Sequence, residues 1–377
     1  MSGLSKTSDS FRAFLWDISG AFGDIGVLLP LSVALIAKNH FNPTALFLMA
    51  GIFYVASAWY FRITMPVQPL KAMAAIAISA GLSYEVINAA GIVMGIVLML
   101  ITVTGLSVRL GKMFPVAVIR GIQLGLGAML VRTSFGLMRP DIVIAILAAA
   151  ILLVTMTMMK KIPPLIPLLV LGIVLSIRGT TIASFGPAAV TPVIPDLNTL
   201  GTGFIILVLP QIALTFGNAV VATSETGRLL YGEKAGRLNL RSIPVSMGIA
   251  NIASGIVGGV PMCHGCGGLT AHCKFGASSE RSGYIIGGVL IILALMLGNS
   301  VLSLVAAFPS GILGVLLCYV GIQHSLFIRD ILENKKAVFV ALTVAITGFL
   351  TNNLTIGFLL GLGIYYSVAA IKHTVKV

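Results

Sequence analysis

From Val86 to Val108 the chain carries no charged side chain, and runs of that kind recur along nearly its whole length. A run of about 20 apolar residues suffices for a helix to cross a hydrocarbon core about 30 Å thick, at about 1.5 Å per residue. Backbone polar groups in such surroundings must be satisfied within the protein, which commits these runs to helices. Composition agrees. Of the 377 residues 58% are hydrophobic and 9% charged, and the mean hydropathy is +1.06, whereas a soluble domain is about one quarter charged. A large soluble core is excluded, and the chain is read as an integral, multi-pass, all-α membrane protein.

The formal net charge of +13 would suggest nucleic acid in a soluble protein. Here the bases cluster between apolar runs, as the positive-inside rule requires, and no nucleic-acid partner is expected. The start, MSGLSKTSDSFRAF, lacks a basic region followed at once by an apolar one, so no cleavable signal is expected. Three of the four cysteines, Cys263, Cys266 and Cys273, lie close together and Cys318 stands alone, which is no disulfide framework.

Segmentation by span length gives roughly fourteen membrane segments. They run at about 14–37, 43–61, 66–82, 84–107, 114–131, 140–159 and 164–179, then about 202–224, 241–258, 261–274, 282–304, 308–327, 336–351 and 354–371. Charge placement tests this order. With a cytoplasmic N-terminus, the inner side holds Lys6, Arg12, Arg62, Arg109, Lys112, Lys160, Lys161, Arg228, Lys234, Arg237, Arg241, Lys274, Arg281, Arg329, Lys335, Lys336, Lys372 and Lys376. The outer side holds Lys38, Arg132, Arg139 and Arg178, while Lys71 and Arg120 fall inside spans. A missed span would exchange the sides of every later loop, so both termini are expected in the cytoplasm, with the cell membrane as host. An odd number of spans per half makes residues 1–190 and 191–377 candidates for an inverted repeat, joined by a Pro187-, Pro192- and Pro195-bearing linker. No soluble C-terminal domain is expected after the last span.

Segments three and ten are too short to span uninterrupted, and each opens on a proline: MPVQPLKAMAAIA from Met65 and VPMCHGCGGLTAH from Val260. Irregular backbone at membrane depth is tolerated only where it lines a cavity, and paired breaks in corresponding positions point to a transporter's binding site. Pro69 restricts Gln68 to extended backbone ahead of a half-helix from Leu70. Pro261 likewise precedes Met262-Cys263-His264-Gly265, whose glycines admit close backbone approach. Two such helix starts, facing one another, would turn free amides and positive dipole ends toward a common anion.

Polar residues costly in a bilayer gather on nearby segments. Gln211, Thr215 and Asn218 share one face of segment eight, where the alternative is to bind helices together. Asp24 in segment one would carry a proton or cap a helix. His264 would be a ligand, a proton carrier or a packing residue. Lys71 would complement an anion or extend along the helix to water. Glu225 would mark the end of segment eight or couple protons. The Cys263-His-Gly-Cys266 spacing resembles half a zinc site, but no second cysteine pair exists and no metal or cofactor is expected.

Four stretches together resemble the molybdate transporter family of the sulfate-permease superfamily: SGAFGDIGVLLPL (19–31), MPVQPLKAMAAIAIS (65–79), LPQIALTFGNAVVAT (209–223) and VPMCHGCGGLTAHCKFGA (260–277). Ala213 and Phe216 depart from the proline and leucine more usual there. The resemblance implies fourteen segments arranged as a 7+7 inverted repeat. A substrate-carrying core would come from about 14–107 and 202–304, and a gate from about 114–179 and 308–371. It implies a homodimer that imports molybdate, with Gln68, Gln211, Asn218 and His264 as binding residues and Asp24 at the family's acidic position. Sulfate, tungstate or another oxyanion, an anion channel and a nucleobase–cation symporter are the competing readings. The symporter would want acidic ligands on both segments eight and ten, and segment ten offers none between Pro261 and Lys274.

Overall fold

The computed structural model describes residues 13–107, 109–110, 114–158, 164–180 and 185–374. Lys6, Arg12, Lys112, Lys160, Lys161 and Lys376 lie outside the described residues, as does the side chain of Lys372. The first half comprises α1 (Ile25–Asn39), α2 (Pro43–Phe61), β1 (Gln68–Pro69), α3 (Lys71–Ala80), α4 (Tyr84–Val103), α5 (Val116–Met138), α6 (Ile142–Met158) and α7 (Ile166–Gly179). In the second half, α8 is one continuous helix built from Leu197–Gly203, a π-helical Phe204–Val208, Leu209–Leu214, a π-helical Thr215–Ala222 and Thr223–Tyr231. After it come α9 (Ser242–Val257), β2 (Met262–Cys263), α10 (Cys266–Lys274), α11 (Arg281–Ala306), α12 (Ser310–Ser325), α13 (Lys335–Thr351) and α14 (Leu354–Thr374).

Among the described residues, 7 helical stretches are long and apolar enough to cross a membrane, including Pro43–Phe61, Tyr84–Val103 and Arg281–Ala306. Two of the seven are longer than one span. Val116–Met158 covers 43 residues because α5 passes through a 3₁₀ turn at Arg139–Asp141 straight into α6, and Leu197–Arg237 covers 41. Bulky apolar side chains such as Ile142, Val143, Ile146 and Leu147 point outward, as a lipid-facing surface requires.

Sequence boundaries shift where apolar character alone located them. Segment one is broken: residues 13–21 are helical, a turn over 22–24 follows, and α1 begins with Asp24 in the N-cap position. Segment five extends to Met138, which puts Arg132 within α5 instead of in a loop; its guanidinium pairs with the Asn352 side chain and covers the Phe349 ring at 4.9 Å. Segment eight starts earlier than hydropathy suggested, at Leu197, because Asp196 caps its first turn, accepting from Thr199 N at 2.7 Å, and it ends later, at Tyr231. The all-α expectation also needs amendment, since the two breaks form a two-stranded antiparallel ladder with Gln68 opposite Cys263 and Pro69 opposite Met262.

Packing sets the breaks at the centre. The most extensive pairings join α2 to α11, α4 to α9, and α5 to α12 and α13. Small residues permit them: a Cβ on Gly51 would lie 2.7 Å from Gly287 O, and one on Gly127 would lie 2.5 Å from Gly321 O. The linker is a strap. Ala188 N bonds Thr44 Oγ1, Ala189 O accepts from Asn42 Nδ2, and Val193 N reaches Ile256 O, which ties it across α2 and α9.

Candidate substrate site at two opposed helix starts

Proline excludes a continuous helix through each break, and the chains instead extend, pair, and start new helices at Lys71 and Cys266. Leu70 N closes the ladder on Pro261 O at 2.8 Å. The outer edge of β2 is closed by Asn251 of α9, whose Oδ1 accepts from Met262 N at 2.6 Å and whose Nδ2 donates to Met262 O at 3.0 Å. Ser254 Oγ donates to Val260 O at 2.8 Å. The sequence reading missed Asn251, although an amide buried in an apolar helix was the signal that could have found it.

The two helix starts differ. Gln211 Oε1 accepts from Ala72 N at 2.9 Å and Met73 N at 3.2 Å, and its Nε2 donates to Thr215 Oγ1 at 3.1 Å. Two of the three leading amides of α3, Ala72 N and Met73 N, are therefore already satisfied. The N-cap of α10 is Gly265, with no side chain to offer, and the first intrahelical bond after it is Leu269 N to Gly265 O. Among the described residues its leading amides have no carbonyl partner, as at an uncapped helix start.

Lys71 supplies charge at that open end. A Cβ placed on Gly265 would lie 3.6 Å from Lys71 Nζ and 3.5 Å from Gln68 Oε1. Among the described residues Lys71 makes no ion pair. Opposite, Asn218 in the π-helical stretch of α8 accepts from Cys266 Sγ at 3.0 Å through Oδ1, and its Nδ2 has no partner among the described residues. π-helical turns widen the helix and recur at functional sites, and Asn218 lies in this one. Lys71, Asn218 and Cys266 are partly accessible and Gly267 is exposed; these four residues around the start of α10 are the cup. Gln68, Gly265 and Gln211 are buried beneath it.

Below the cup, Gln68 Nε2 donates to Asp24 Oδ1. Both side chains are buried, and each keeps one oxygen, Gln68 Oε1 and Asp24 Oδ2, without a hydrogen bond. The Tyr54 hydroxyl adjoins the carboxylate without reaching hydrogen-bond geometry. Gly268 is the contact that lets α10 settle on this pair: a Cβ there would meet Asp24 Oδ2 at 2.8 Å, Gln68 Nε2 at 2.8 Å and Pro66 Cβ at 2.6 Å.

Other sequence candidates lie elsewhere. His264 is fully buried behind the ladder, its Nδ1 2.9 Å from Pro66 O and its Nε2 3.2 Å from Ser246 Oγ, against the Phe53 and Phe61 rings. Pro69, Leu70, Met262 and Cys263 shape the ladder with side chains buried in the apolar core, and Thr215 is buried against Gln211. Glu225 is exposed, two helical turns past Asn218. Among the described residues no three His, Cys, Asp or Glu side chains converge as a metal ion would need.

Comparison with known proteins gives the family and the fold. The family model described as "Molybdate transporter of MFS superfamily" matches residues 17–130 and 203–323, which include both breaks and most of α8. Molybdate transporter 2 of Arabidopsis thaliana is 28% identical, over 93% of this chain and 86% of the relative. Molybdate transporter 1 of Chlamydomonas reinhardtii is 24% identical, over 98% of this chain and 94% of the relative. Among solved structures, the transmembrane domain of the cyanobacterial bicarbonate transporter BicA superposes with a TM-score of 0.67 at 20% identity, covering 92% of this chain and 98% of that one. The murine Slc26a9 anion transporter in the inward-facing state gives 0.69 at 14% identity, covering 95% and 68%. At those identities the likeness is one of fold. With its apolar helices and the family model spanning most of its length, this multi-pass membrane protein belongs to the molybdate transporter family.

Proposed function

We propose that the chain imports molybdate by alternating access, with the dianion held in the cup between Lys71, Asn218 and the open start of α10. The observation that carries this reading is the asymmetry of the helix starts. Gln211 closes the amides of α3, while those of α10 remain open beside the Lys71 ammonium. A tetrahedral oxyanion would exchange its hydration shell for these amides, the ammonium and Asn218 Nδ2. Gln68 orients the floor, and Gln211 positions α3. His264 then acts by holding the second break.

The frame for this motion is a 7+7 inverted repeat over residues 1–190 and 191–377, with fourteen membrane segments, α3 and α10 being half-helices. Repeat equivalence is supported by the packing, since the pair α2–α11 maps onto α9–α4 and the two breaks pair with each other. Helices α1–α4 and α8–α11 would move as a substrate-carrying core against a gate of α5–α7 and α12–α14. Arg62, Arg237 and Arg241 on one face support cytoplasmic termini in a cell membrane, and a homodimer is the expected assembly. Entry of a dianion against a negative interior is uphill by about 2.3 kcal/mol per charge per 100 mV, so a proton partner fits. Asp24, buried under the cup with Oδ2 unbonded, suits that role better than exposed Glu225 or doubly bonded His264.

Radiolabelled molybdate uptake into proteoliposomes, with sulfate and tungstate as competitors and an imposed pH gradient, tests the reading. Saturable, gradient-driven uptake that excess sulfate leaves intact is expected. Uptake abolished by sulfate would reassign the substrate, and conductive flux far above transporter turnover would reassign the protein as a channel.

A further inference from the structure

A cavity lies apart from the cup, on the outer side of the pair α2 and α9. Its walls are apolar: Met49, Ile52, Phe53 and Trp59 from α2, Ile249 and Ala253 from α9. Tyr60, near the end of α2, and Ser242, the first residue of α9, line it too. Arg237, just ahead of α9, donates Nη1 to Tyr60 O at 2.7 Å, so α9 begins where α2 ends. Along α2 the trough runs from Met49 to Tyr60, a rise of about 16 Å. That is about half the thickness of a hydrocarbon core, one leaflet deep.

The mouth has a headgroup's chemistry. Trp59 and Tyr60 are 61% and 42% exposed there, the aromatic pair expected at the level of lipid headgroups. Beyond them stand three exposed arginines: Arg62 ending α2, Arg241 starting α9, and Arg237, whose guanidinium lies 5.9 Å from the Tyr60 ring centre. Glu233 is the acidic residue of the same connection, and among the described residues none of the three arginines pairs with a carboxylate.

We propose that this trough holds one acyl chain of an anionic phospholipid, with the phosphate against Arg62, Arg237 and Arg241. The depth selects an acyl chain, and three unpaired cations select an anionic headgroup over a zwitterionic one. The occupant also braces the transport site. Ser246 and Phe53 line the trough, Ser246 Oγ is 3.2 Å from His264 Nε2, and the Phe53 ring centre is 4.8 Å from that of His264. His264 in turn holds Pro66 O across the breaks. This second step rests on the transport reading; the lipid site itself does not.

The full chain is reconstituted in phosphatidylcholine with or without phosphatidylglycerol, and lipid retained after extraction is counted by native mass spectrometry alongside molybdate uptake. One phosphatidylglycerol per chain is expected. Retention should fall about fivefold in Arg237→Gln, and should vanish in a folded Ala253→Trp variant that fills the trough. Uptake should rise with phosphatidylglycerol in the unaltered protein and lose that dependence in Ala253→Trp. Undiminished retention in both variants, displacement by inorganic phosphate alone, or Ile52→Cys cross-linking of two copies would overturn the site. Retention with uptake indifferent to phosphatidylglycerol would overturn the bracing. Retention with no uptake in any lipid would instead overturn the transport reading.

Discussion

Gln211 Oε1 lies 2.9 Å from Ala72 N, so α8 supplies from a distance the cap that α3 lacks in its own sequence. A residue that reads as a ligand is here a structural acceptor for two buried amides. Gln211→Ala should strand both, at about 1–3 kcal/mol for each unsatisfied buried group, and lower the thermal midpoint together with uptake. Gln211→Glu keeps the acceptor while adding a negative charge beside the cup. It should retain the midpoint and lose uptake, a separation that thermal-shift and transport assays on one preparation would read.

Lys71 is the cation nearest the open start of α10. At an effective dielectric of about 20, a charge pair 4 Å apart is worth about 4 kcal/mol. Lys71→Met should therefore raise the molybdate KM at least about tenfold, the equivalent of about 1.4 kcal/mol. Lys71→Arg, which keeps the charge, should retain most of the affinity. Concentration-dependent uptake by the two variants distinguishes a charge at the site from an ammonium that merely extends to water.

Gly267 and Gly268 are neighbours with opposite tolerance. A Cβ on Gly268 would enter a space already held by Asp24, Gln68 and Pro66, whereas one on Gly267 would meet nothing within 4 Å. Overpacking of this kind costs about 1–3 kcal/mol. Gly268→Ala should lower the thermal midpoint and disturb the Gln68–Asp24 bond beneath the cup, while Gly267→Ala should leave the midpoint near that of the parent.

Much of this was legible in the sequence, for identifiable reasons. Apolar runs and basic clusters are long-range averages, so helix order survived single errors, and prolines at 66, 69 and 261 mark breaks whatever surrounds them. The partners of those breaks were not legible. Nothing local says that Gln68 will lie opposite Cys263 or that Asn251 will cap the edge of β2, because both depend on helices brought together from far along the chain. Asn218 sits in a π-helical stretch, which no hydrophobic period announces, and its contact with Cys266 joins helices far apart in the chain. His264 was ambiguous because a histidine's role depends on its neighbours, and here these are two aromatic rings, a serine and a carbonyl.

Asp24 offers the sharpest test of ion coupling. Its carboxylate is buried, bonded by Gln68 through Oδ1 and unbonded at Oδ2, directly under the residues that would hold the dianion. Asp24→Asn keeps the volume and an oxygen that can still accept from Gln68 Nε2, but it removes the proton site. Exchange of molybdate across vesicles at equal pH should persist in this variant, because exchange needs binding and motion alone. Accumulation driven by a pH gradient should disappear, which would leave uptake at the equilibrium set by concentration and membrane potential. Gradient-driven accumulation equal to that of the parent would assign the proton to another group, and loss of exchange as well would make Asp24 a structural support for Gln68 instead of a carrier.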